Sequence, residues 1–233
     1  MGIGIFEDAE KKYGNALVRC FGDRNDWLLA RSTQIGGSDA GVILGVCPWK
    51  TNEELWEEKF GIVVPKDISD NPLVEYGVNA EASLRYLFVL DYPQYTVYYH
   101  PNNIWINDAY PFAHASLDGW LYDAENNRHG ILEIKTATIS SKAQKEKWAG
   151  SQIPQNYYCQ LLHYFLVTEF DFAILKAQLK YEIDGEEPFL HTKHYRIERK
   201  DVIHDITYLK NKELDFWAMV KSGTRPNTML PEI

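Results

Sequence analysis

The chain has 233 residues, of which 45% are hydrophobic and 24% are charged. This composition predicts one globular domain whose core is large enough to need no disulfide or structural metal. The formal net charge of −9 argues against a general nucleic-acid coat protein, but it does not exclude an enzyme that acts on DNA.

The sequence carries no signal of a membrane protein or of a metal-stapled fold. No apolar stretch approaches the roughly 20 residues of a membrane span, and the N-terminus becomes charged too early for a signal peptide. We therefore expect a soluble protein with no membrane contact. The three cysteines, Cys20, Cys47 and Cys159, form no C-x-x-C pair, which disfavours a zinc ribbon or an iron–sulfur cluster and suits a reducing cytoplasm.

The first ninety residues are predicted to be mainly helical. The predicted helices are one over the first 30 residues, a short one over residues 40–44, one that follows a Thr51 cap and ends at Gly61, and one over residues 73–89. The short helix follows a turn at Gly36-Gly37 and is predicted to have Ser38 or Asp39 as its N-cap. Residues 64–72 read as an exposed loop.

The periodicity then changes to that of strands. A meander is predicted from four segments rich in aromatic and β-branched residues, at 95–100, 103–106, 114–123 and 130–138. An apolar stripe predicts a helix over 153–168, followed by strands at 170–181 and 190–199 and a helix over 200–223. This order predicts an α/β fold with a central mixed β-sheet flanked by helices, in a single domain over residues 1–222 with a loose tail over 223–233.

One strand carries an acid and a lysine on the same face. Because side chains alternate along a strand, Glu133 and Lys135 point one way and Ile134 the other. Asp118 ends the preceding strand, and an antiparallel pairing would bring it close. Two carboxylates and the Ile134 backbone carbonyl suit Mg²⁺ or Mn²⁺, and Lys135 would orient or deprotonate a water or stabilise charge on a phosphate. The alternative for an isolated Glu-x-Lys pattern is a solvent-exposed ion pair.

The context of this pattern resembles a known family. "LDGW" followed after 11 residues by "LEIK" resembles the signature of PD-(D/E)XK nucleases, with Leu117 at a position where that family often has proline. "RSTQIGGSDAGVILGVCPWKTNEELWEEKFG", "EYGVNAEASLRYLF", "FAHASLDGW" and "IPQNYYCQLLHYFLVT" are similar, in order and approximate spacing, to the YqaJ-type viral recombinase nucleases, which are related to phage lambda exonuclease. The resemblance covers about residues 25–182 and implies a restriction-endonuclease-like PD-(D/E)XK core.

The resemblance also implies roles for individual residues. Asp118 and Glu133 would be the metal-binding carboxylates, Lys135 the catalytic lysine, and Glu81 a further ligand, directly or through water. Gln160, which forms a Q-x-x-x-Y pair with Tyr164, would hold the lysine or the DNA backbone. The alternatives are a surface glutamate at 81 and, for the pair, an amide and a phenol at the edge of a core helix.

A second group of residues is implied to bind the 5′-phosphate of the digested strand. Arg31 offers a bidentate guanidinium, and Ser38 adds a hydroxyl after the Gly-Gly turn. Asp39 departs from a site built only for anions, and a plain capped turn is the alternative. His114 is predicted on the strand face of Asp118, where it would contact metal or DNA unless it is structural. Trp49 either stacks on a DNA end or belongs to the core.

The function that the resemblance implies is a Mg²⁺-dependent exonuclease, in the cytoplasm of a bacterial or phage-infected cell. It would resect double-stranded DNA ends from 5′ to 3′ and leave 3′ single strands for phage-type homologous recombination. A single-strand annealing recombinase and a homo-oligomeric ring, a trimer in the lambda-like case, are implied as partners. A PD-(D/E)XK endonuclease of restriction or repair type and a catalytically silent DNA-binding module are the alternatives.

Overall fold

The computed structural model describes residues 4–6, 8–68, 70–183 and 187–230. In chain order the elements in these ranges are β1 (Gly4–Ile5), β2 (Glu10–Tyr13), β3 (Ala16–Cys20), α1 (Arg24–Ser32), α2 (Gly37–Ile43), α3 (Asn52–Phe60), α4 (Pro72–Asp91), β4 (Tyr95–Tyr99), β5 (Asn103–Asn107), β6 (His114–Ala115), β7 (Gly119–Asp123), β8 (Arg128–Ile139), α5 (Lys142–Glu146), α6 (Gln155–Thr168), β9 (Phe172–Tyr181), β10 (Phe189–Glu198), a 3₁₀ helix (Arg199–Val202) and α7 (Ile203–Ser222).

The N-terminal segment forms strands, so the prediction of a helix over the first 30 residues is wrong before α1. Tyr13 pairs with Ala16, which leaves a two-residue turn between β2 and β3. Gly14, the first residue of this turn, has a φ of +59°, as tight hairpin turns require. Residues 1–3 and 7, which that prediction included, lie outside the described residues.

Local signals at the helix ends are confirmed for α3 and wrong for α2. Thr51 caps α3 through a hydrogen bond from the Glu54 N–H, and Gly61 ends it in the left-handed conformation. The N-cap of α2 is Gly36 rather than Ser38 or Asp39. The Asp39 carboxylate instead accepts a 2.9 Å hydrogen bond from the Gly36 N–H, one turn back.

Two sheets form instead of one meander. The larger sheet has the order β1-β4-β7-β8-β9-β10, with parallel β1/β4 and β8/β9 pairs and antiparallel pairs elsewhere, which confirms the predicted mixed sheet. The smaller sheet has the order β2-β3-β5-β6. The expected meander is wrong because β5 pairs with β3 of the N-terminal hairpin, far away in sequence, and β6 pairs with β5, so neither strand pairs with β4 or β7.

Helices cover both faces of the larger sheet. On one face, Leu84 and Phe88 of α4 pack against Leu132 and Ile134 of β8. On the other face, α6 packs over the sheet and contacts α2 and α7. The odd-numbered residues of β8 from Ile131 onward therefore face α6, and the even-numbered ones face α4.

Residues 224–230 have no regular secondary structure but are attached to α3. The Met229 N–H donates to the Asn52 side-chain oxygen at 2.8 Å, and the Asn52 amide donates to the Asn227 carbonyl at 2.9 Å. Arg225 pairs with Glu57 at 2.5 Å. This part of the predicted tail is therefore anchored, and residues 231–233 lie outside the described part of the chain.

None of the helices in the described ranges has both the length and the apolar character needed to span a bilayer.

Candidate active site

Glu133 and Lys135 lie on the face of β8 that α6 covers. The Glu133 side chain is 2% exposed, and its Oε1 is 2.7 Å from the Lys135 Nζ. A solvent-exposed ion pair, the alternative for this pattern, therefore does not describe these residues. A buried carboxylate beside a cation costs desolvation energy, which points to a functional role rather than a stabilising one.

Asp118 lies just before β7, at the point where β7 and β8 cease to pair and β8 continues beside β9. β7 begins at Gly119, opposite Leu132, whereas residues 133–139 of β8 pair only with β9 among the described strands. The Asp118 Oδ2 accepts a 2.8 Å hydrogen bond from the Ile134 N–H, at the edge of β8 that β7 leaves free. The antiparallel β7/β8 pairing thus brings Asp118 beside Glu133 and Lys135, as the sequence predicts.

α4 brings Glu81 to the same place from the opposite face of the sheet. Gly77, one turn earlier, allows the helix to approach, since a Cβ at this position would lie 3.2 Å from the Thr136 Oγ1 of β8. Burial raises the pKa of Glu81 to about 7, and the Asp118 carboxylate adds to this rise while Arg85 opposes it. Glu81 therefore belongs with Asp118 and Glu133 to one group of acidic side chains, here called the carboxylate cluster, and is not a plain surface residue.

Arg85 belongs to this site, although the sequence analysis missed it. The side chain is 3% exposed, and its Nη2 forms an ion pair with the Glu81 Oε1. Its Nε donates a 2.5 Å hydrogen bond to the Asp118 backbone carbonyl. The guanidinium carbon lies 3.4 Å from the ring centroid of Tyr99. The i, i+4 spacing of Glu81 and Arg85 is a signal from which this pair could have been predicted.

α6 supplies Gln160 and Tyr164, which lie on one helix face as predicted. The Gln160 Nε2 donates to the Glu133 Oε1 and to the Tyr164 hydroxyl, both at 2.7 Å. Gln160 thus holds the carboxylate rather than the lysine. Gly37 of α2 packs on this pair, because a Cβ there would lie 2.4 Å from the Tyr164 Cε1 and 3.1 Å from the Gln160 Cγ.

Arg31 and Ser38, the residues implied to bind a 5′-phosphate, lie on either side of the Gly36-Gly37 turn. Arg31 lies in the last turn of α1, with its guanidinium carbon 4.3 Å from the Trp27 ring centroid. Burial lowers the pKa of Arg31, although Tyr164, Asp39 and Asp118 oppose the shift. Arg31 makes no ion pair with any residue of the described ranges, and the Ser38 side chain is exposed. Both therefore keep hydrogen-bond donors for a ligand.

Asp39 does not disturb this region as an unpaired anion would. Its carboxylate accepts from the Gly36 N–H and forms a 2.8 Å ion pair with Lys59. Burial disfavours the charged form, but Lys59 and the Gly36 N–H hold the pKa of Asp39 below its usual value. Asp39 is therefore a neutralised structural carboxylate.

His114 lies close to the Gly36-Gly37 turn but not on the strand of Asp118. It belongs to β6 of the smaller sheet, so the expected strand face shared with Asp118 is wrong. A Cβ on Gly36 would lie 3.0 Å from the His114 Cε1. Burial, reinforced by Arg31, lowers the pKa of His114 to about 3, so its ring is neutral at neutral pH.

Trp49 is 73% exposed, in the loop between α2 and α3. It is therefore not a core residue, and no described contact joins it to the carboxylates. Its role on a DNA end stays a prediction.

The carboxylate cluster carries an excess of negative charge. Burial and the Asp118 carboxylate raise the pKa of Glu133, and Lys135 opposes this rise. Burial favours the neutral form of Lys135, yet Glu133 and Asp118 raise the pKa of this lysine above its usual value. Burial is thus the main cause of the higher pKa of Glu133, whereas at Lys135 the nearby carboxylates outweigh burial.

The donors of this cluster fit a hard divalent cation. The Glu133 Oε2 is buried and has no hydrogen-bond partner within the described part of the chain, so a cation would satisfy it. As the side chains stand, no three histidine, cysteine, aspartate or glutamate residues of the described ranges converge closely enough to hold a metal. The carboxylates would therefore have to draw together around the ion.

Comparisons with known proteins identify the family to which the chain is similar. Residues 26–171 match the family model of the YqaJ-like viral recombinase domain. The uncharacterized protein YqaJ of Bacillus subtilis (strain 168) is 30% identical over 199 residues, which cover 83% of this chain and 55% of that protein. The chain thus corresponds to only about half the length of this relative.

The fold is shared with a solved nuclease structure. The alkaline exonuclease LHK-Exo of Laribacter hongkongensis superposes with a TM-score of 0.61 at 16% identity, over 86% of this chain and 94% of that chain. Its complex with dAMP gives a TM-score of 0.60 at the same identity and coverage. The predicted PD-(D/E)XK-like fold is confirmed. On the family match and the shared sequence, the chain belongs to the YqaJ-like viral recombinase domain family.

Proposed function

We propose that this chain is a metal-dependent deoxyribonuclease, and specifically an exonuclease that resects linear double-stranded DNA from 5′ to 3′. The proposal rests on one observation: Asp118, Glu133 and Lys135 lie together where β7 ceases to pair with β8. Membership of the YqaJ-like family and the fold shared with an alkaline exonuclease support a nuclease. The product would be a 3′ single-stranded overhang, suited to homologous recombination.

The proposed chemistry is hydrolysis of a phosphodiester bond. Bound Mg²⁺, or Mn²⁺, would stabilise charge on the attacking and leaving oxygens. Asp118, Glu133 and the Ile134 carbonyl would hold the cation, with Glu81 directly or through water. Lys135 would stabilise negative charge on the phosphate or orient the water. Gln160 would keep the Glu133 carboxylate in place through its hydrogen bond of 2.7 Å.

The proposed preference for DNA ends rests on Arg31 and Ser38. Both have donors that no described residue uses, and Arg31 lies near enough to Asp118 for the two charges to interact. A guanidinium and a hydroxyl together recognise a terminal phosphate, which an endonuclease does not need. Tyr164 and Gly37, which are in contact, link this region to Gln160 and the carboxylates.

The function is tested by incubating the protein and Mg²⁺ with linear duplex and with covalently closed circles. We expect digestion of linear DNA only. Two aspartates at opposite ends of β7 provide a matched pair of variants. Asp118→Asn should abolish cleavage. Asp123→Asn should leave the cleavage rate unchanged, because the Asp123 side chain accepts a hydrogen bond from Asn126 in a turn. Cleavage of closed circles would favour an endonuclease, and DNA binding without cleavage would favour a silent module.

We also propose a homo-oligomeric ring, a trimer, that encloses the DNA and works beside a single-strand annealing recombinase. Support comes from the outward face of α4, where Val78, Tyr86, Leu87 and Leu90 are each at least 47% exposed. Tyr86→Glu should lower the mass measured by light scattering, whereas Tyr208→Glu on α7, at a residue of nearly equal exposure, should not. An unchanged mass for Tyr86→Glu, or a monomeric wild type, would contradict this assembly.

A further inference from the structure

Arg85 is a buried cation that contacts two separate parts of the carboxylate cluster. Its Nη2 pairs with the Glu81 Oε1 on α4, and its Nε donates to the Asp118 backbone carbonyl at the start of β7. The Tyr99 ring of β4 packs against its guanidinium at 3.4 Å. The side chain is only 3% exposed, so its rotamer is fixed by these contacts and not by solvent.

The geometry leaves metal-binding capacity on both partners. Arg85 uses Oε1 of Glu81 and leaves Oε2 available. It uses the backbone carbonyl of Asp118 and leaves the side-chain Oδ1 available, while Oδ2 accepts from the Ile134 N–H. A planar guanidinium holds two acceptors in fixed relative positions, which a single ammonium cannot do.

We infer that Arg85 is a positioning residue that fixes Glu81 and the Asp118 backbone relative to each other, so that their free oxygens can share one divalent cation. The inference rests on the proposed function only in taking these carboxylates as metal ligands. Arg85 would touch neither the DNA nor the ion. Its effect on metal affinity would resemble that of other groups that orient metal ligands, whose loss weakens binding by about 10- to 100-fold.

The chain provides a matched control for the loss of a buried cation. Lys176 of β9 is 1% exposed and pairs with Asp91 at 2.9 Å, at the far end of α4 from Glu81. Lys176 lies opposite Ile134 in the β8/β9 pair, but its side chain forms its ion pair with Asp91. Lys176→Met therefore removes a buried cation and an ion pair to the same helix without removing a side chain that contacts Glu81, Asp118 or Glu133. We expect both Lys176→Met and Arg85→Met to lower the melting temperature, but Lys176→Met to leave the metal affinity unchanged.

The test is calorimetric titration of Mn²⁺ into the DNA-free protein, with cleavage of linear duplex measured in parallel. We expect Arg85→Met to raise the Mn²⁺ dissociation constant about tenfold or more and Arg85→Lys to raise it less. Wild-type affinity in Arg85→Met, or equal weakening in Lys176→Met, would overturn the inference. If Arg85→Met does not fold, Arg85→Lys decides, and wild-type affinity in that variant would overturn it.

The two readouts separate this inference from the proposed function. Weaker Mn²⁺ binding in Arg85→Met, with no DNA cleavage by the wild type, would support the inference and contradict the nuclease. Normal cleavage by the wild type, with unchanged Mn²⁺ affinity in Arg85→Met, would support the nuclease and overturn the inference. A wild type that binds no Mn²⁺ would overturn both.

Discussion

Gly37 offers a direct test of whether the turn before α2 is mechanically coupled to the carboxylate cluster. A Cβ at this position would lie 2.4 Å from the Tyr164 Cε1, whereas ordinary contact begins near 3.4 Å. The Tyr164 ring of a Gly37→Ala variant must therefore move by about 1 Å, and Gln160, which donates to both Tyr164 and Glu133, must follow. Misplacement of this size at a reaction centre costs about a hundredfold in rate.

The stability change should be modest by comparison. Overpacking costs about 1–3 kcal/mol, and replacing a helical glycine by alanine returns up to about 1 kcal/mol. We therefore expect the free energy of unfolding, measured in urea, to fall by about 1–2 kcal/mol. The rate is measured on linear duplex at saturating Mg²⁺ and DNA, at a temperature where both proteins are folded.

A matched variant separates site geometry from overpacking in general. Gly130→Ala creates the same 2.4 Å clash, with the Phe172 ring on the α4 side of the sheet. It should lose a similar free energy of unfolding and keep the wild-type rate. Gly37→Ala at the wild-type rate, or Gly130→Ala equally slow, would refute the coupling.

Three further predictions concern end recognition, pH and metal. Arg31→Ala should erase a preference for 5′-phosphate over 5′-hydroxyl ends while cleavage continues, and a preserved preference would refute its assignment. The pKa of His114 is about 3 in the folded chain and 6.5 in the unfolded chain, so between these values only the unfolded chain gains a proton. The free energy of unfolding therefore decreases as the pH is lowered through this range. Between pH 6.5 and 5 the wild type should lose about 2 kcal/mol more unfolding free energy than His114→Asn, and equal pH slopes in urea titrations would contradict this. EDTA should abolish cleavage, and Mg²⁺ or Mn²⁺ should restore it; activity that persists in EDTA would exclude metal dependence.

Features that depend on neighbouring residues were predictable from the sequence. Alternation along β8 correctly placed Glu133 and Lys135 on one face, because strand geometry has a period of two. The Thr51 cap and the Gly61 ending of α3 were predictable because each depends on contacts within one turn. The family resemblance added the carboxylates and Gln160, and the structure brings these residues together.

Features that depend on distant pairing were not predictable. β2 contains Glu10, Lys11 and Lys12, and such a charged segment favours a strand only because β3 pairs with β5 across more than eighty residues. His114 lies in the smaller sheet because β6 pairs with β5. The i, i+4 spacing indicates the pair of Glu81 and Arg85, but it does not reveal the hydrogen bond from Arg85 to a backbone carbonyl 33 residues away.

The direction of digestion is measured with linear duplex labelled on one strand, at its 5′ end or at its 3′ end. With Mg²⁺, we expect early release of the 5′ label in mononucleotides, while the 3′ label stays in long single-stranded fragments. Asp118→Asn should release neither label. Early release of the 3′ label, or internal cuts with both ends intact, would contradict a 5′-to-3′ exonuclease.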